Sequence, residues 1–204
     1  MNTQTRREIR SGLIALALSG LLSTLVAALR GPFDLADPGS HNIGAALSPT
    51  YLPGWTLILI GVVLHLYGLF GLYRYLTYEA QSLIAFLAFV LNVGGLTLAL
   101  PFLGLLTAHR PVIAELYQQG YREVIALLAV AGLARIIGMP LLVIAIWKDG
   151  RLPKWTGIAF LLGFLLAAAA VTFATELLGA ALLLISTGMM AWKGWQESAI
   201  GTGQ

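Results

Sequence analysis

The chain has 204 residues, 58% of them hydrophobic and 10% charged, with a formal net charge of +3. Soluble domains carry roughly 45–50% apolar and about 25% charged residues, so this composition excludes a water-soluble fold and points to an integral membrane protein. The basic excess does not indicate nucleic acid, because the Lys and Arg residues stand at the ends of apolar runs, where membrane orientation uses them. The absence of cysteine rules out disulfides, thiolate metal sites and thiol catalysis.

Crossing a hydrocarbon core about 30 Å thick takes about 20 apolar residues. In chain order, such runs predict spans at Ser11–Leu29, Pro53–Tyr73, Gln81–Leu105, Val124–Trp147, Trp155–Thr172 and Glu176–Trp195. The first is too long an apolar run for a cleaved signal sequence and is followed by no small-residue cleavage site, so it reads as a retained helix. Between the first two spans, Gly31–Leu52 reads as a loop with a turn at Asp37-Pro38-Gly39. Between the third and fourth, Arg110–Tyr121 fits either a short surface helix started by Pro111 and stopped by Gly120, or an ordinary connector. The last two spans are one apolar stretch that must turn near Phe173–Thr175; a shallow re-entrant hairpin is the alternative there.

An inside N-terminus collects Arg6, Arg7, Arg10, Arg74, Lys148, Arg151, Lys154 and Lys193 on the cytoplasmic side and leaves Arg30, Arg110 and Arg122 outside. That asymmetry puts both termini in the cytoplasm, and Trp147, Trp155, Trp192 and Trp195 then line the inner interface, with Trp55 at the outer one. The fold class read from the sequence is thus all-α: one transmembrane domain over 1–204, a six-helix integral membrane bundle in contact with the lipid bilayer. Sliding the chain until Ile84-Ala85-Phe86-Leu87 falls on Ile158-Ala159-Phe160-Leu161 also aligns Arg74 with Lys148 and Tyr73 with Trp147. Such a hairpin repeat occurs in transporter folds, although apolar helices also share residues by chance.

An ionisable residue in mid-span is costly, about 2.5–3.5 kcal/mol for Arg on insertion scales, and so marks a candidate site. His65 and Arg135 are two such residues and Asn92 is a neutral third, all near the middle of their spans. Each shares a helical stripe with small residues: His65 with Gly61 and Gly68, Asn92 with Ala88 and Gly95, Arg135 with Ala131 and Gly138. Small residues mark tight helix contacts, so the three side chains are expected to face the bundle interior, where Ser19, Ser23 and Ser186 can reach them. No Asp or Glu occupies mid-span to neutralise Arg135, and Glu176 falls at the outer turn. Pro140 would free the Ile136 carbonyl beside it.

Three readings follow. In the first, Arg135, His65 and Asn92 bind a small anionic or polar ligand, with His65 and Asn92 donating hydrogen bonds. In the second, the three form a satisfied polar network that fixes helix register. In the third, Arg135 snorkels to an aqueous pocket. No cofactor is expected. Haem wants a pair of facing histidines and only His65 is intramembrane, His41 and His109 lying in or beside outer segments. Neither a zinc triad nor a Gly-x-Ser-x-Gly turn occurs, and the outer Asp34, Asp37 and His41 read as solvated loop residues.

Gly68-Leu69-Phe70-Gly71-Leu72-Tyr73 and Leu152-Pro153-Lys154-Trp155-Thr156-Gly157 resemble landmarks of bacterial multi-pass membrane proteins of similar length, over Trp55 to about Leu165. The resemblance implies a helical bundle in a bacterial plasma membrane and carries neither an activity nor a functional residue. The function expected from the whole is binding or passage of a small solute. A structural or accessory role beside a membrane-protein partner, or in a homo-oligomer, comes second, and an intramembrane enzyme third.

Overall fold

Six α-helices follow the apolar runs in a computed structural model that describes residues 3–30, 51–108, 122–169 and 173–200. They are α1 (Thr3–Arg30), α2 (Tyr51–Thr77), α3 (Leu83–Ala108), α4 (Arg122–Asp149), α5 (Lys154–Ala169) and α6 (Phe173–Ile200). Five of them are long and apolar enough to cross a membrane; α5, described over 16 residues, is shorter. Of the loop expected over Gly31–Leu52, Tyr51 and Leu52 belong to α2, and residues 31–50 with the expected turn at Asp37-Pro38-Gly39 lie outside the described residues, as do the candidate surface helix over Arg110–Tyr121 and the side chain of Trp55.

The helices outrun the predicted apolar limits because their ends carry their own polar support. Before α3, Ser82 Oγ accepts a hydrogen bond from the Ala85 amide at 3.2 Å, an N-cap. After α4, Gly150 takes a positive φ of 75° and its amide closes on the Ile146 carbonyl at 3.2 Å, a conformation that favours glycine. One expectation needs correcting: Phe173, Ala174 and Thr175 are no turn but the first residues of α6. Glu176 explains why a helix can begin there, since a carboxylate in the first turn is stabilised by the unpaired amides and the helix dipole.

Each helix packs on its neighbours in sequence and α1 closes onto α6, so the six form a ring, with α2 also meeting α4 across it. Glycine permits the closest approaches. A Cβ on Gly71 would fall 2.5 Å from the Gly12 Cα, and one on Gly163 would fall 2.8 Å from the Gly179 carbonyl oxygen, so α1–α2 and α5–α6 pack nearly backbone to backbone. Outward, Ile14, Leu18, Leu21 and Leu25 make an exposed aliphatic stripe along α1, as lipid contact requires. The aligned hairpins behave alike at Ala85 and Ala159, both buried, and differently at Phe86, which is exposed, and Phe160, which is not.

The ring is solid at one end. Leu13, Leu16, Leu72, Tyr75, Ile146 and Met190 are fully buried in the half that holds both termini. A polar staple closes that end: Arg151 donates to the Tyr75 carbonyl at 2.6 Å, pairs with Asp149, and lies over the rings of Tyr75 and Tyr78 at 4.6 and 4.3 Å. Tyr75 Oη in turn donates to Glu197 at 2.8 Å, which ties α2, the α4–α5 turn and α6 together. Burial alone would lower the Arg151 pKa, but Asp149 and Tyr78 hold it above its ordinary value.

Tyr78 is also held above its usual value near 10, first by burial and then by its hydrogen bond to Glu79. A raised folded-state pKa means that the folded chain keeps its proton longer than the unfolded one, so stability falls as pH rises past the ordinary tyrosine value. Thermal unfolding at increasing alkaline pH should show this decline, and Tyr78→Phe should flatten it.

Candidate binding site in the membrane bundle

His65 points from α2 into the ring at the level of Ser19 on α1 and Phe160 on α5. The Ser19 hydroxyl donates to the Leu16 carbonyl at 2.7 Å, so its lone pair receives Nδ1–H of His65 at 3.1 Å. In that arrangement a neutral imidazole carries its proton on Nδ1, and Nε2 is buried without a hydrogen-bond partner. The imidazole lies parallel to the Phe160 ring, 5.8 Å between centroids and 7° between planes.

Arg135 enters from α4 through a slot that glycine opens, since a Cβ on Gly95 would fall 2.7 Å from Arg135 Cγ. Its guanidinium lies over the Phe164 ring at 4.3 Å, while Nε is buried without a hydrogen-bond partner. Phe160 and Phe164 are neighbours four residues apart on one face of α5, so His65 and Arg135 lie against two rings a turn apart. The guanidinium thus rests on an aromatic face, whereas Pro140 and Ile136 stand on the exposed side of α4.

Asn92 also faces inward but belongs to a different surface. It is fully buried in the α3–α4 seam, where its amide donates to the Ala88 carbonyl at 2.8 Å and where a Cβ on Gly138 would fall 2.7 Å from Nδ2. Its Oδ1 has no hydrogen-bond partner. Small residues accompany both Asn92 and Arg135, but for Asn92 they close a seam and for Arg135 they open a path.

That path leads to a cavity of about 290 Å³ lined by residues of all six helices. His65 and Arg135 both line it, Asn92 does not, and Ser23 and Glu176 supply further polar lining. Aliphatic side chains such as Leu22, Val26, Ile58 and Leu183, with the Phe164 ring, make up most of the wall. The cavity occupies the half of the ring away from the termini, opposite the solid core. Glu176, expected only at a turn, sits on the stripe Glu176, Ala180 and Leu183, which lines the cavity throughout. The three-and-four spacing that marked His65 and Arg135 would have marked it too.

Chemically, the cavity offers a fixed cation with a buried donor, a bare imidazole acceptor, a carboxylate and a low-dielectric wall. No family model, curated protein or solved structure matches this chain.

Proposed function

We propose that the protein binds, and passes or presents, a small anionic or polar solute in this cavity, with Arg135 as the anchoring charge and His65 beside it. One observation carries the reading: the ring is hollow at the depth where two buried polar atoms, Arg135 Nε and His65 Nε2, lack hydrogen-bond partners. A bundle serving only as a spacer gains by filling such a space with aliphatic side chains and by pairing those atoms, because unpaired polar groups in hydrocarbon cost free energy. The accessory reading would favour a long outward stripe of small residues for a partner helix. Outward on α4 stand Val130, Leu133, Ile137 and Ile144, which suit lipid better. Asn92 acts from behind, setting the α3–α4 seam that aims Arg135.

The basic-residue asymmetry supports both termini in the cytoplasm, and the sequence resemblance supports a bacterial plasma membrane. The hollow half then faces outward and the Arg151 staple seals the inner side. A cysteine near Arg151, at the exposed Lys154, should stay unlabelled by an impermeant outside reagent until the membrane is permeabilised; labelling of intact cells would invert the orientation.

The reading is tested by calorimetric titration of the full chain in detergent with acetate, bicarbonate, phosphate and glycerol. Saturable heat from at least one, lost in Arg135→Leu, is expected. Silence from all of these, and from amphipathic acids, would return the polar centre to a packing role.

A further inference from the structure

Resting on that reading, we infer that the cavity is shaped for a monocarboxylate with an apolar body and a hydroxyl next to its carboxyl group. Three features of the lining select this class. First, among the described residues Arg135 is the only Lys or Arg side chain lining the cavity, and Glu176 lines it too. A doubly charged phosphate, which needs several donors and a second cation, is poorly matched, whereas one carboxylate meets one guanidinium in a planar, charge-assisted pair.

Second, the remaining wall is aliphatic and aromatic. It rewards burial of a hydrocarbon body and strips water from the carboxylate, which a small inorganic ion cannot repay. At about 290 Å³ the space is roughly twice the 150 Å³ cavity that holds benzene, enough for an acid of about ten non-hydrogen atoms. Third, His65, with its unpartnered Nε2, lines the same cavity as Arg135, and the two lie against rings one turn apart on α5. With the Ser19 hydroxyl donating to the Leu16 carbonyl, a neutral imidazole carries its proton on Nδ1 and offers Nε2 as an acceptor, which suits a hydroxyl on the carbon next to a carboxylate held by Arg135. A carboxylate alone would leave that nitrogen unpaired in a dry site.

The test uses the full chain in detergent, titrated calorimetrically with mandelate, phenylacetate, 2-phenylethanol and inorganic phosphate, with thermal unfolding of each variant as the check on folding. Mandelate should bind about fivefold more tightly than phenylacetate, the effect of one added hydrogen bond, and both at least about tenfold more tightly than the alcohol, which lacks the charge. Arg135→Gln should lose both acids and Arg135→Lys should keep a weakened response. His65→Phe should keep phenylacetate but erase the preference for mandelate. Equal affinity for the two acids in the unaltered chain overturns the inference, as does tighter binding of phosphate; either leaves an anion site at Arg135 standing. If none of the four probes, acetate, bicarbonate or glycerol binds to folded protein, both the inference and the proposed function fall.

Discussion

Replacing Arg135 by leucine should abolish binding of an anionic probe while leaving the bundle as stable as before, or slightly more so. A charge-assisted hydrogen bond contributes about 1.5–3 kcal/mol, so affinity should drop by one to two orders of magnitude. The stability side runs the other way. A guanidinium in mid-span costs about 2.5–3.5 kcal/mol, and its contact with the Phe164 ring at 4.3 Å returns about 0.5–2 kcal/mol. Leucine removes both, and its side chain suits the aliphatic wall. Titration together with thermal unfolding therefore separates the two leading readings. If Arg135 were a strut in a satisfied network, its loss would strand partners and the melting temperature would fall by many degrees. A solute site predicts lost binding with an unchanged or raised melting temperature.

What the sequence makes legible follows from what periodicity encodes. The apolar runs place the helices because lipid demands length and apolarity whatever the neighbours are. Small-residue stripes turn His65, Asn92 and Arg135 inward, because glycine and alanine mark helix contact wherever it occurs. The same stripes cannot tell a seam from a cavity: Asn92 lies against Gly138 and Arg135 against Gly95, with identical sequence signatures and opposite surroundings. Nor does a single helix name its partners. That Phe160 stacks on His65 and Phe164 on Arg135 depends on α5 standing beside α4 and across from α2, an order that only the closed ring supplies. The staple of Arg151, Tyr75 and Glu197 joins three points far apart in the chain, so each of its members reads alone as an ordinary interfacial residue.

Gly71→Ala and Gly61→Ala, the same change made on one helix, should have opposite consequences. At Gly71 the new Cβ would meet the Gly12 Cα at 2.5 Å, its carbonyl carbon at 2.8 Å and the Leu13 amide nitrogen at 3.0 Å, all backbone atoms that cannot swing aside. The α1–α2 seam must separate, and overpacking of this kind costs about 1–3 kcal/mol or more. Thermal unfolding should drop sharply, and a second change, Gly12→Ala, should add little once the helices have parted, because the two sites share one contact. At Gly61 the nearest atom is Leu22 Cβ at 3.7 Å, an ordinary contact, and the residue borders the cavity. Alanine there should hold or raise stability by up to about 1 kcal/mol through helix propensity, while its methyl enters the space above His65 and weakens the largest acids first. An unfolding scan paired with a size series of monocarboxylates would show the contrast. If Gly61→Ala destabilised as much as Gly71→Ala, α1 and α2 would be sealed along their whole length, and the hollow half on which the binding site depends would not exist.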